Sequence, residues 1–213
     1  DSPLPSEYGY DAYGAFNCAG EQMPVHEDSE HAIAFIEESY REKKPFFINL
    51  WIHEPHTPFH TVPKYRWRFR ELEEPDNIYA SVLSHADDRI GEVLNALDRL
   101  KLTDNTLVVF SSDNGPARAA GPTELKLMHD TATGAGFGIG AARGITGGRK
   151  GYKSALFEGG IGVPFIARWP GKINAGQVDR TSMVSAVDLL PTFCELAGAT
   201  LPEDYTPDGI SQV

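Results

Sequence analysis

Three segments of this 213-residue chain carry side chains whose types and spacing could do chemistry. Asp113-Asn114-Gly115 sets a carboxylate beside an amide carbonyl, two hard oxygen donors suited to Ca²⁺ or Mg²⁺. The same residues also suit a plain tight turn, because Asn-Gly favours one. His53-Glu54-Pro55-His56-Thr57-Pro58 has an H-x-x-H spacing, but its two prolines exclude the helix on which metal-binding pairs of that spacing usually sit. A histidine there can donate to a leaving-group oxygen or to an anionic ester. In the third segment Arg118, Lys126, Arg143, Arg149, Lys150 and Lys153 face only Glu124 and Asp130, inside a chain of formal charge −11. A charge run is usually a solvated face. Reversed sign within a glycine-rich stretch suits a pocket for an anion, since glycines let backbone N–H groups come close.

Other residues offer less. His129 could face a substrate, although a lone loop histidine is more often plain surface. Cys18 has no neighbouring base, and Cys194 lies in an apolar helical pattern that suits the core. Ser111 and Ser112 lack the G-x-S-x-G context of a serine hydrolase.

The elements that must position these groups can be read from periodicity. Ala32, Ile33, Phe35, Ile36 and Tyr40 predict a helix over 29–43, capped by Asp28 or Ser29 and stopped by Pro45. Ile78, Val82, Ala86, Ile90, Val93, Leu97 and Leu100 predict a long amphipathic helix over 76–101. Apolar runs at 46–52, 106–111 and 163–168 predict buried strands. The histidine segment and Asp113 then stand at the carboxyl ends of strands, where α/β sheets gather ligands. Ser185 and Asp188 predict a capping box, with a helix that Gly198 stops. Residues 1–27 read as ordered loop, and 117–152 as a glycine-rich loop without sustained periodicity, of a length that is usually functional. Alternating strands and helices predict an α/β layered domain with a mostly parallel central sheet.

Composition limits the function. An acidic chain does not suit general nucleic-acid binding, which needs clustered Lys and Arg. No apolar stretch reaches the ~18–20 residues of a membrane span. Two distant cysteines make no disulfide framework and have no metal-ligand spacing.

Taken in order, several segments resemble the type I sulfatase family of the alkaline-phosphatase-like superfamily. They are Gly9-Tyr10-Asp11-Ala12-Tyr13-Gly14, His53 through Pro58, Ala86-Asp87-Asp88-Arg89-Ile90-Gly91 and Ser112-Asp113-Asn114-Gly115-Pro116. Lys153-Ser154-Ala155-Leu156-Phe157-Glu158-Gly159-Gly160, Val163-Pro164 through Trp169-Pro170-Gly171, and Asp188-Leu189-Leu190-Pro191-Thr192 continue the series. The resemblance implies a three-layer α/β/α sandwich, with Asp113 and Asn114 as ligands of a divalent cation, usually Ca²⁺. It implies that Lys153 holds the sulfate and the scissile oxygen and that His56 stands beside the leaving group. A sulfated small molecule or glycan is the implied substrate, and a periplasmic, secreted or lysosomal location the implied compartment.

The sequence also departs from the family's pattern. The C/S-x-P-x-R motif that yields the formylglycine nucleophile is absent, as are two metal-binding aspartates and a Lys-x-His motif. Gly162 stands where relatives commonly have Arg. The chain is therefore expected to be an internal portion of a sulfatase catalytic domain, without its nucleophile segment and small C-terminal subdomain, and inactive alone. A phosphate or phosphonate monoester hydrolase of the same superfamily, or a non-catalytic binder of anionic glycans, stays open beside sulfuric ester hydrolysis.

Overall fold

The computed structural model describes residues 3–15, 23–118, 125–130 and 133–213. Its elements are α1 (Asp28–Glu42), α2 (Pro63–Arg68), α3 (Glu74–Arg99), β1 (Val108–Ser111), β2 (Leu127–Asp130), β3 (Gly134–Phe137), α4 (Glu158–Ile161), β4 (Phe165–Arg168) and α5 (Ala186–Ala197). Cys18 lies outside the described residues.

The three helices expected from periodicity are present. In α3, Glu74 and Asp76 in the first turn and Arg99 in the last complement the helix dipole. The capping box of Ser185 and Asp188 opens α5, and Gly198, at φ 67°, closes it in the left-handed region. The short helix α2 was not anticipated, because six residues rich in Arg and Lys show no apolar stripe.

The core forms on α3. Ile78 and Val82 are fully buried against Phe59, Ala141 and Ala142, with Tyr79, Leu125, Phe137 and Ile139 around them. Elsewhere along α3, α1 packs on it and buries Ala32 and Ile36. Arg89 ties the two helices by donating to Glu30 and to the His26 carbonyl, and pairs within α3 with Glu92.

Helices with small sheets bear out the α/β class, while both ladders among the described residues are antiparallel where a mostly parallel sheet was expected. β1 and β4 pair antiparallel, Val108 opposite Arg168 and Ser111 opposite Phe165. β2 and β3 make a second antiparallel pair. Residues 46–52 alternate half-buried and exposed side chains as a strand would, but join no ladder among the described residues. An apolar run marks a strand whatever its neighbour. Direction follows from the connection, and here the chain turns through α4 so that β4 runs back along β1.

The 117–152 segment is also more ordered than the loop expected, since it contains the β2–β3 hairpin. Gly134 and Gly136 have no side chains to alternate, which hid the strand. Gly136 is needed for its size: a Cβ there would stand 2.8 Å from the Phe59 carbonyl oxygen. Paired hydrogen bonds between Phe59 and Phe137, at 2.8 and 3.0 Å, dock this hairpin against the segment that follows His56.

Candidate active site at the strand ends

β1 ends at Ser111, and the chain passes directly into Asp113 and Asn114. Three glycines let this strand end meet the 150–160 segment main chain to main chain. The Gly115 N–H donates to the Gly160 carbonyl at 2.7 Å, and a Cβ on Gly115 would lie 1.9 Å from the Gly159 oxygen. Gly159 and Gly160 press as closely on the carbonyls of Gly151 and Ala155. One consequence places the lysine: the Lys153 N–H donates to the Pro116 carbonyl at 2.9 Å, three residues from Asp113. Asp113, Asn114 and Lys153 are thus brought to one strand end.

The donor set there fits a hard cation. Asp113 is exposed, and its carboxylate has no partner among the described residues. The Asn114 amide nitrogen donates to the Gly115 carbonyl, which leaves its side-chain oxygen as an acceptor. Ser112 donates to the Asn114 carbonyl at 2.9 Å and steadies the turn.

His56 stands on a different segment. Its N–H donates to the His53 carbonyl at 2.8 Å, and its ring Nδ1 lies 2.6 Å from the Thr57 carbonyl. That contact puts the proton on Nδ1 and leaves Nε2 free. The ring is exposed. Residues 134–144 bridge the two places: Phe137 bonds to Phe59, while a Cβ on Gly144 would stand 2.5 Å from the Pro116 side chain.

Other expected groups sort differently. Arg143 belongs to the fold rather than to an anion pocket, because its guanidinium pairs with Asp76 at 2.6 Å and donates to the Gly140 and Ala142 carbonyls. Lys150 lies over the Phe157 ring, 3.9 Å from its centroid. Arg149 packs beside Gly162, its Cδ 3.6 Å from where a Cβ would be. His129 is exposed in β2, opposite Ala135. Cys194 is a free thiol, only half-buried in α5 rather than core.

A second group of ionisable residues escaped the sequence reading. His26, Glu54 and His85 come from the loop before α1, the proline-rich turn and α3, and their ligand atoms lie within 4.8 Å of one another. Burial pushes the Glu54 carboxyl up, but the contact with His26, helped by His85, outweighs burial and holds it below the ordinary value. Burial, followed by the neighbouring His26, pushes His85 down. Burial, followed by His53, does the same to His60. Residues 28 and 31 positions apart leave no local pattern. The one available signal was the density of histidine, three of the chain's seven lying between 53 and 60.

Comparison with known proteins adds the context. A family model described as Sulfatase matches residues 2–199. The uncharacterized sulfatase YdeN of Escherichia coli is 29% identical over 97% of this chain and 36% of its own length. The N-acetylgalactosamine-6-sulfatase of Mus musculus is 31% identical over 85% of the chain and 30% of its own length. Among solved structures, Ps i-CgsB in complex with k-i-k-neocarrahexaose superposes with a TM-score of 0.71 at 30% identity, covering 91% of this chain and 38% of that one. The chain spans about a third of the length of these relatives.

Proposed function

Because the chain belongs to the sulfatase family, we propose that the protein hydrolyses sulfate monoesters on a carbohydrate, with the strand-end residues as part of its active site. The observation that supports this reading is the backbone bond from Lys153 to Pro116, which brings the main chain of Lys153 to the strand end that carries Asp113 and Asn114. Relatives named for N-acetylgalactosamine-6-sulfate and a structural neighbour bound to a carrageenan oligosaccharide support the glycan.

Asp113 and Asn114 would hold Ca²⁺, with Mg²⁺ as the other candidate, as two of the ~6–8 oxygens that Ca²⁺ takes. When bound, the cation supplies positive charge to the sulfate oxygens. Lys153 binds the sulfate group and offsets charge on the scissile oxygen. His56 would give the departing alkoxide a proton from Nε2 when the ring carries protons on both nitrogens, with Nδ1–H held by the Thr57 carbonyl. The nucleophile, a formylglycine in the family, is expected outside these 213 residues, so the activity is proposed for the protein that contains them. Secretion or a lysosomal or periplasmic address is proposed with it; among the described residues no helix is long and apolar enough to cross a membrane.

In the full-length protein, Lys153→Ala is expected to lower kcat/KM for an aryl sulfate about 10²–10³-fold, the usual loss when a preorganised charge donor is removed. An unchanged rate constant removes Lys153 from the mechanism. Faster turnover of an aryl phosphate than of the sulfate would reassign the substrate class.

A further inference from the structure

We propose that His26, Glu54 and His85 form a binding site for a divalent transition metal with the preferences of zinc, built from residues other than Asp113 and Asn114. The Glu54 Oε1 lies 2.5 Å from His26 Nδ1 and 3.7 Å from His85 Nδ1. Ligand atoms around a tetrahedral zinc stand roughly 3.3–3.5 Å apart at bond lengths of about 2.0–2.1 Å. Small side-chain shifts would therefore admit an ion.

Partnering supports the site more strongly than spacing. His26 Nδ1, Glu54 Oε1 and His85 Nδ1 are each shut off from solvent, and none has an aligned hydrogen bond. Buried polar atoms are normally paired. Apart from the close but poorly aligned His26–Glu54 contact, the three atoms converge only on one another, an arrangement that a cation at their centre would satisfy. Two imidazole nitrogens and one carboxylate oxygen favour zinc and its neighbours over Ca²⁺ or Mg²⁺, which take oxygen. The surroundings hold the ligands in place: Arg89 donates to the His26 carbonyl at 2.6 Å, and the Tyr65 ring lies 5.0 Å from that of His85.

A fourth position is also provided for. His26 and His60 both line a cavity of about 340 Å³ between the turn and the hairpin, a route for an ion and its water. His60 Nδ1 lies 3.1 Å from the Ala135 carbonyl, and its Nε2 is buried without a partner. Water from this cavity would complete the shell, with His60 at its wall, its ring centroid 6.1 Å from that of His26. A metal there would tie the N-terminal loop and α3 to the turn that carries His56, so its role is to position that turn. The site stands whether or not the substrate is a sulfate ester.

The test is metal binding by the chelator-stripped protein, followed by competition against a chromophoric zinc indicator and by the visible spectrum after Co²⁺ substitution. One tightly held equivalent of Zn²⁺ and a strong four-coordinate Co²⁺ spectrum are expected, both kept in Asp113→Ala. Losing an outer-shell partner commonly costs about 10–100-fold in metal affinity, so Glu54→Gln and His85→Ala should weaken binding about 100-fold or more. Zinc binding as tight in Glu54→Gln as in the wild type, or lost in Asp113→Ala alone, overturns the proposal. Should the variants fail to fold, the wild type decides: a rise in Tm with one equivalent of zinc supports the site, and an unchanged Tm removes it.

Discussion

The strand-end region around Asp113 and the helical region around His85 are built by opposite means. At the strand ends the contacts that set geometry run between main chains, through Gly115, Gly159 and Gly160, and the nearby side chains stay open to solvent. Phe110 and Phe165 keep about two-fifths of their surface exposed, and Ile166 more than half. Around α3 the side chains do the positioning: Ile78, Val82 and Phe59 are buried completely or nearly so, and the ionisable groups sit among them. Backbone contacts fix a position without regard to side chain provided there is no Cβ. Packed side chains fix a position only while their volumes are kept. Substitutions in the two regions should therefore fail for different reasons.

The largest effect is expected at Phe59, which lies under the histidine turn and bonds to the hairpin. Phe59→Ala should lower stability by about 3–5 kcal/mol, read by denaturant unfolding. A loss below 1 kcal/mol would mean that the helical region does not depend on volume. Next comes Gly115→Ala, whose methyl group would meet the Gly159 oxygen. It should cost about 2–3 kcal/mol, the upper part of the overpacking range, and in the full-length protein about 10²-fold in kcat/KM through displacement of Asp113 and Lys153. Wild-type stability and rate in that variant would break the contrast outright. Gly91 sharpens it from the other side: it lies within α3 and a Cβ there would meet nothing within 4 Å. Gly91→Ala should stabilise the protein by about 0.5–1 kcal/mol, seen as a higher unfolding midpoint. The smallest effect concerns Asp188, which accepts from the Ser185 and Ile210 N–H groups at 2.8 and 2.9 Å. Those bonds, Ser185 first, hold its carboxyl below the ordinary value. Its contribution is therefore fully present above the unfolded carboxylate value of about 3.9 and is lost as pH falls through the lower folded value. Amide exchange at Ile210 should rise in that acid range in the wild type and be raised at neutral pH in Asp188→Asn.

Much of this was legible in the sequence, and the reasons are local. The stripe of Ile78, Val82 and Leu97 repeats with the helix itself, so α3 was placed within two residues at either end. Asp113-Asn114-Gly115 is contiguous, and its place after an apolar run located it at a strand end. Strand direction was not legible, because Phe165–Arg168 reads the same whether its neighbour runs with it or against it. The hairpin at 127–137 was hidden by glycines that carry no pattern. Arg143 was counted toward an anion pocket because sequence gives its charge but not its partner, Asp76. His26, Glu54 and His85 share no spacing rule; only the folded chain puts them side by side.

The continuity of α3 into β1 sets a limit on length. The helix has 26 residues, about 39 Å at 1.5 Å per residue, and reaches β1 after one short turn at Thr103–Asn105. The Trp169 Nε1 donates to the Asp104 carbonyl there, locking β4 to the same turn. One residue added between His85 and Leu97 would rotate everything beyond it by about 100°. His85 would keep facing Glu54 while β1, with Asp113 at its end, swung off its bearing. The stretch of chain between those two residues is thus a ruler whose marks cannot be moved singly. Length variation among natural or engineered versions of this protein should collect instead in 171–184, before the Ser185 cap of α5, where every residue is exposed and no such phase has to be kept.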